Sequence, residues 1–173
     1  MISAIDIKSL WYADVITEKL TAAKLKTLLT TATAVTNVHQ DTWTIEEGEP
    51  SQDSYKDQLS GMTYRMGTKT MGDVTFNFTI GRYDYETKKE LMGGEATSNS
   101  WERSRTPTEI KKSLIALTED DVYCVLSCAN VNTREANTDG AVGLAVVATM
   151  LIPEQETVSP EYWFDKSAVD SAS

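Results

Sequence analysis

The sequence has little of the chemistry that enzymes and metal sites use. Among 173 residues it contains one histidine, His39, and two cysteines, Cys124 and Cys128. A lone histidine without a second His or Cys ligand at site-forming spacing predicts no zinc-type centre. The nucleophile elbow G-x-S-x-G, the G-K-[ST] phosphate loop and the dinucleotide motif G-x-G-x-x-G are all absent. The sequence therefore predicts a protein that is not an enzyme and has no catalytic residue, metal or cofactor.

The two cysteines do not predict a disulfide. On one strand, residues four apart lie about 13 Å from each other, whereas a disulfide bridges Cα atoms separated by at most roughly 7 Å. We interpret Cys124 and Cys128 as small apolar residues on one buried face.

Long apolar segments are also lacking. No apolar run approaches the ~20 residues of a transmembrane helix. Asp6, Lys8 and Asp14 interrupt the N-terminal region, where an export signal needs an unbroken apolar core. We therefore expect neither a membrane partner nor export by the general route.

Basic charge is scarce, and the chain has a net charge of −10. Two short segments hold nine of the ten excess negative charges. Residues 41–60 carry one basic and six acidic groups, and residues 154–173 carry one basic and five acidic groups. Blocks of like charge are typical of solvated loops and tails. Because the chain has no basic patch, it does not predict affinity for nucleic acid.

Threonine, in contrast, is abundant, with 23 residues, and its β-branched side chain favours sheet. The clearest strand is residues 73–80, which alternate apolar and polar side chains without an error. The apolar positions are Val74, Phe76, Phe78 and Ile80. A strand near residues 63–66 is predicted to pair with it as a hairpin across residues 67–72.

Three later segments predict an antiparallel meander: residues 109–117, 122–132 and 141–152. The third is nearly all apolar, so we expect it to be central and covered on both faces. Two short helices are predicted as well. Thr21 can cap the first, and Asp84 can cap the second, which ends at Gly93 and directs Tyr85, Leu91 and Met92 inward.

These patterns predict a mainly β protein, an antiparallel β-sandwich or barrel with one or two short flanking helices. A length of 173 residues fits one domain spanning residues 1–173. Within it we predict an N-terminal arm (1–16), a long exposed acidic loop (46–61) and a C-terminal acidic tail (154–173). Loops of that length are usually functional or disordered.

Four stretches of the chain resemble the tail tube (major tail) proteins of long-tailed phages and prophages. They are NVHQDTW, EEGEPSQDSYKDQLSG and GDVTFNFTIGRYDYETKKELMGG between residues 37 and 101, and SPEYWFD near the C-terminus. The resemblance implies a small β-sandwich with a flanking helix that forms hexameric rings. Such rings stack into a hollow tube through which DNA passes during ejection. It also implies other tail proteins as partners, assembly in the bacterial host cytoplasm and a final location in the virion tail.

Two sets of residues are candidates for this role. We expect lumen-lining residues at Thr75, Asn77 and Thr79, because they form the polar face of the clearest strand; an ordinary solvent-facing sheet would show the same pattern. Ring stacking would use the acidic loop and the aromatic residues near both termini, since aromatics are enriched at interface centres. These candidates are Trp11, Tyr12, Glu46, Glu47, Glu49, Tyr55, Lys56, Tyr162, Trp163 and Phe164. Alternatively, the terminal aromatics fold back on their own subunit.

Other functions remain open at this stage. A tube subunit of a contractile injection system or a capsid-decoration subunit would have a similar sequence. A monomeric β-sandwich adhesion module is another alternative, although such modules are usually exported. Each of these is a structural or binding protein with no small-molecule substrate. The sequence does not predict the number of subunits, the sheath or adaptor partner, or whether the tail contracts.

Overall fold

The computed structural model describes residues 4–172 and consists mainly of antiparallel strands. Residues 1–3 of the predicted N-terminal arm and residue 173 of the predicted tail lie outside this range. The strands are β1 (Ile7–Ala13), β2 (Thr33–Val35), β3 (Thr44–Glu47), β4 (Ser51–Lys56), β5 (Thr63–Thr70), β6 (Val74–Ile80), β7 (Glu95–Ala96), β8 (Trp101–Glu102), β9 (Lys111–Thr118), β10 (Val122–Thr138), β11 (Ala141–Met150) and β12 (Glu161–Asp165). The helices are α1 (Ala22–Thr31), α2 (Tyr85–Met92) and α3 (Lys166–Ser171).

Eight of the strands form one sheet in the order β2-β1-β9-β10-β11-β6-β3, with β12 paired to β10 outside this path. β4 pairs with β5, and β7 pairs with β8, as two separate small sheets. Every pairing between these strands is antiparallel. The predicted mainly β antiparallel fold is confirmed, with three short flanking helices in place of one or two.

The large sheet curls around a core on its inner face. Leu10 and Tyr12 of β1 belong to the same buried cluster as Phe76 and Phe78 of β6, although β1 and β6 are separated by three strands. Both end strands also contribute side chains to this core, as Val35 does from β2. Strands near the two ends of a flat sheet could not share one core, so the sheet must be strongly curved.

A second core lies on part of the outer face of the sheet. Ile115 and Val125 project from β9 and β10 and pack beneath the two terminal helices. Leu25 of α1 and Val169 of α3 are at most 1% exposed and cover them. The sheet is therefore covered on both faces where α1 and α3 lie.

β10 is 17 residues long and changes its partner halfway. One edge of β10 pairs with β12 up to Leu126, and the same edge pairs with β11 from Ala129 onward. The register shifts between these two residues. A β-bulge of this kind lets a strand bend and re-aim its side chains. Ser127, inside the bulge, is fully buried and donates a hydrogen bond to the carbonyl of Ser159 (2.7 Å).

The helix predictions are confirmed at both caps. The Thr21 hydroxyl accepts a hydrogen bond from the Lys24 backbone N–H, and the Asp84 carboxylate accepts one from that of Thr87. Gly93 ends α2 with φ of 80°. Tyr85 is wrongly predicted as inward, since it is 43% exposed. It lies six residues before the buried Leu91, about 240° around the helix, and so faces away from the sheet.

Two predictions for the middle of the chain are wrong, one of a loop and one of a strand pairing. Residues 46–61 are not an irregular loop, because β4 occupies Ser51–Lys56 and pairs with β5. β5 accordingly does not form the predicted hairpin with β6, which lies between β11 and β3. Neither β4 nor β5 has a buried face, so their sequences lack the alternation from which a strand is predicted.

The terminal segments are also more integrated than predicted. Residues 7–13 of the predicted arm form β1, which lies between β2 and β9. The predicted tail contains β12 and α3, which close one end of the sheet. The expectation that residues 141–152 are covered on both faces is wrong. β11 is central, yet Val147 on its outer face is 40% exposed, because no described element packs over that face. Val142, near the start of the strand, is 59% exposed.

The inner core gives a direct test of the fold. Phe76 is fully buried and packs edge-on against Trp43 (5.6 Å) and Phe78 (6.3 Å between ring centroids). We expect Phe76→Ala to lower the free energy of unfolding by about 3–5 kcal/mol in urea titrations of dilute protein, because it leaves a large cavity. Thr79→Ala, on the opposite face of the same strand, should cost less than about 1 kcal/mol. Equal effects would contradict the assigned faces.

Candidate assembly surfaces

The described residues do not form a metal-binding cluster. Residues 4–172 contain no cluster of three or more His, Cys, Asp or Glu that could hold a metal ion. Cys124 and Cys128 are both buried and free, and burial raises the pKa of Cys124 far above its ordinary value. His39 lies near the surface with Nε2 3.0 Å from Asp139 Oδ2. No described helix has the length and hydrophobicity to cross a bilayer.

The hairpin of β4 and β5 projects from the body of the protein. Every residue of these two strands is exposed except Gly67, which is half-buried. Large apolar side chains are concentrated on the hairpin and its two connections: Tyr55 (48% exposed), Leu59 (97%), Met62 (72%), Tyr64 (71%), Met66 (50%) and Met71 (62%). A two-stranded hairpin is marginally stable alone in water, and clustered exposed apolar groups mark interaction sites. The hairpin therefore has the character of a contact surface.

At the base of the hairpin, the backbones of Gly48 and Gly72 lie in close contact. The Gly48 backbone N–H donates to the Asp73 carbonyl (2.9 Å). A Cβ atom on Gly72 would lie 2.0 Å from the Gly48 carbonyl oxygen, which no side chain can tolerate. The two ends of the hairpin are thus held side by side, as a direct continuation of the β3–β6 pairing that ends at Glu47 and Val74.

The predicted stacking residues of the middle segment all lie on or beside this hairpin. Glu46 and Glu47 end β3, Glu49 is in the connection, and Tyr55 and Lys56 belong to β4; all five are exposed. Sequence reasoning missed the partner strand.

β5 adds Arg65, whose guanidinium lies 5.7 Å from the centre of the Tyr55 ring, together with exposed Tyr64 and Met66. The sequence feature that could have identified this surface is the high density of large apolar residues in a stretch without periodicity.

The terminal aromatic candidates mostly fold back on their own subunit. Tyr12 is 4% exposed in the inner core, and Trp11 packs 6.3 Å from the Tyr123 ring. Tyr162 stacks on Phe164 at 5.9 Å.

The Tyr162 hydroxyl accepts a hydrogen bond from the Ser159 backbone N–H (2.9 Å). Trp163 is different, because it is 37% exposed on the opposite face of β12. Of the terminal candidates, Trp163 has the most surface for contact with another chain.

The predicted lumen residues lie on an open face of the sheet. Thr75, Asn77 and Thr79 of β6 are half-buried and point away from the inner core. Their neighbours across β11, β10 and β3 point the same way, because directly paired residues of antiparallel strands share a face. We call the part of this face that is in direct register with Thr75, Asn77 and Thr79 the open face; its residues are Thr44, Glu46, Thr75, Asn77, Thr79, Asn130, Asn132, Arg134, Ala145, Val147 and Thr149.

The open face is polar and electrically neutral. Its charged members are Glu46 and Arg134, whereas the whole chain carries −10. At its border, Lys111 of β9 pairs directly with Asn130, and its ammonium group lies 3.6 Å from the Glu109 carboxylate. Threonine and asparagine make up most of the rest, and the Asn77 amide donates to the Thr44 hydroxyl across the strands (3.1 Å). α1 and α3 cover the neighbouring part of the same side of β10, so the open face begins where that cover ends.

Unpaired backbone edges remain at the ends of the sheet, and one of them, at β3, borders the open face. Within residues 4–172, β3 pairs only with β6, and β2 at the other end of the sheet pairs only with β1. An exposed strand edge offers unpaired N–H and C=O groups and can template pairing with another chain. β12 likewise pairs only with β10, so among the described residues three short strands of the sheet have an edge available for such pairing.

No protein-family model matches the chain, and no curated protein matches its sequence. The functional conclusion therefore depends on the surfaces described above and on the sequence resemblance.

The contrast between neighbouring aromatics of β12 is testable. Tyr162→Phe removes the hydroxyl of a half-buried side chain, which accepts a hydrogen bond from Ser159, and should lower the free energy of unfolding by about 1 kcal/mol. Trp163→Ala removes an exposed ring and should change it by no more than about 0.5 kcal/mol. Urea titrations of both variants measure the difference. A larger loss for Trp163→Ala would show that Trp163 also belongs to the subunit core.

Proposed function

We propose that this chain is a structural subunit of a phage tail tube. Its copies pair side by side into closed rings, six in each as the resemblance implies, and the rings stack into a hollow tube that conducts DNA. The observation that carries the proposal is the neutral, polar, uncovered face of the sheet, bounded by an unpaired strand edge at β3.

Side-by-side pairing explains how the edges would be protected. β3 exposes one edge of its backbone and β2 exposes another. In a cyclic assembly each copy offers one surface to the next, and closure leaves no surface unpaired. Protection of edges by closure is the solution that barrels use within one chain. Rings of this chain would apply it between chains.

The chemistry of the open face suits a conduit. Each phosphate held by Lys or Arg strengthens DNA binding, and strong binding would slow transit. The open face has one arginine, Arg134, and one carboxylate, Glu46, among short neutral side chains. A wall of this composition offers DNA few points of attachment. Facing the lumen would also explain why polar residues stand there while the opposite face is packed with Phe76 and Phe78.

Stacking of rings would use the projecting hairpin. Within its own subunit the hairpin buries almost nothing, so its six exposed apolar side chains gain cover only from another chain. The free energy available from covering them is substantial, since apolar burial contributes about 25 cal/mol per Å².

Removal of the hairpin should separate folding from assembly. We expect a variant in which Asn-Gly replaces residues 49–72 to fold, because this two-residue turn suits the directly paired strands β3 and β6. It should show a wild-type circular dichroism spectrum and a thermal midpoint within a few degrees of the wild type, but form no tubes in electron micrographs. Leu59→Gln keeps the hairpin but removes one of its exposed apolar side chains, so it should fold like the wild type and form tubes only at a higher concentration. Tubes from the hairpin-free variant would refute the stacking role.

Orientation of the open face can be tested by chemical labelling. Thr75→Cys places a thiol on this face, and the two native cysteines are buried and unreactive by comparison. In dilute subunits, both a small maleimide and a maleimide on a large polymer should label Cys at this position. After assembly, we expect the small reagent to react at an undiminished rate and the polymer to react at least tenfold more slowly. Equal polymer labelling in both states would place this face outside the tube.

A further inference from the structure

A cleft of about 640 Å³ opens between the end of β1, the helix α1 and the helix α2. Its floor is apolar, with Ile16 and Leu20 buried and Leu28 half-buried. Tyr12 also reaches the floor, and burial raises the pKa of its hydroxyl, which lies beside Thr87 and Thr33. The cleft is thus large enough and apolar enough to receive a side chain from another molecule.

The rim of the cleft is acidic. Five carboxylates and two ammonium groups line it, a net charge of −3: Asp14, Glu18, Asp84, Glu86, Glu90, Lys24 and Lys112. Lys112 is bound within the rim, with its Nζ 3.0 Å from Asp14 and 2.5 Å from Glu90. Burial pulls the pKa of Lys112 down, but these hydrogen bonds outweigh burial and raise it overall. Glu18 already lies 2.5 Å from Lys24 Nζ and Glu86 lies 2.9 Å from Lys89 Nζ, but the two glutamate side chains are 74% and 61% exposed. Each carboxylate therefore still has a solvent-facing side that a second cationic group can approach.

The hairpin of β4 and β5 has the complementary character. Residues 51–70 carry Lys56, Arg65 and Lys69 against Asp53 and Asp57, a net charge of +1 on a chain of −10. The hairpin is therefore the part of the molecule where cationic groups and large exposed apolar groups occur together.

The tip of the hairpin is a well-defined turn. The Asp57 backbone N–H donates to the Met62 carbonyl (2.8 Å), and the Asp57 carboxylate accepts a hydrogen bond from the Ser60 N–H (2.7 Å). Gly61 takes the left-handed conformation that the turn requires, with φ of 70°. This turn presents Leu59 at its apex with 97% of the residue exposed. A leucine side chain exposed in this way can insert into an apolar cleft of another molecule.

We propose that the cleft between β1, α1 and α2 is the docking site for the hairpin tip of a second copy of this chain. Leu59 would fill the apolar floor, and Arg65 and Lys56 would face the acidic rim at Glu18 and Glu86. This inference rests on the proposed self-assembly and identifies the surface that receives the hairpin.

The charge distribution favours a second copy as the occupant. Two copies of a chain with a net charge of −10 repel each other as wholes, so their contact needs locally opposite charges. The hairpin and the cleft provide them. The two surfaces also share no residue, so each copy can give a hairpin to one neighbour and receive one from another. Such a heterologous contact propagates from copy to copy, as stacking requires.

Cross-linking between copies tests the contact directly. Leu59→Cys marks the tip and Thr17→Cys marks the exposed rim of the cleft. The two full-length variants are mixed, allowed to assemble and treated with a short bifunctional maleimide. We expect a covalent product that contains both variants, at least tenfold more abundant than from either variant alone. Asn99→Cys in place of Thr17→Cys is the control and should yield no such product.

A charge exchange provides an independent readout. Arg65→Glu and Glu86→Arg should each raise the concentration needed for assembly at least tenfold, by placing like charges together. The double variant should return to within about threefold of the wild type, because the pair is restored in the opposite sense. Glu119→Arg makes the same change of charge away from both surfaces and should have little effect.

The outcomes separate this inference from the proposed function. Suppose that the wild-type protein forms tubes, but the two cysteine variants give no mixed product or the double charge variant is not rescued. Either result would overturn the docking site and leave the tube proposal standing. A wild-type chain that stays monomeric at every concentration would overturn both.

Discussion

The structure depends on a change of character along β10. Its first half is apolar on both faces, so side chains such as Tyr123 and Val125 need cover from α1, α3 and β12. After the bulge at Ser127, polar residues replace them on the outer face, beginning with Asn130 and Asn132. Because one continuous strand carries both halves, the same sheet is covered at one end and open at the other. The bulge is where β10 exchanges β12 for β11.

This constraint is the reason for the proposal that the subunit is completed by other copies. The covered half supplies a core that lets the chain fold alone, while the other half ends in an uncovered face, an unpaired β3 edge and a hairpin without its own core. Each of these features is a liability in an isolated protein. Together they suit a repeating assembly, in which neighbouring copies cover the edge and the hairpin and leave the polar face to line a channel.

The sequence predicted what local patterns determine. Alternation from Val74 to Ile80, the caps at Thr21 and Asp84 and the final meander are each encoded within a few residues, and all are confirmed. Prediction from the sequence failed where strand pairing and burial depend on contacts with segments that are distant in the chain. β4 and β5 bury no face and so have no periodicity, and the apolar β11 gave no indication that one side is uncovered. The polar face was predicted from β6 alone, whereas its neighbours on β10 and β11 required the register.

The central claim is that identical copies complete one another. Sedimentation velocity of the wild-type protein from micromolar to millimolar concentration, with electron micrographs of the same samples, measures this most directly. The account predicts a concentration-dependent shift from subunits to rings and stacked tubes with a hollow centre. A single species of 19.1 kDa at the highest concentration, or compact particles without a channel, would contradict it.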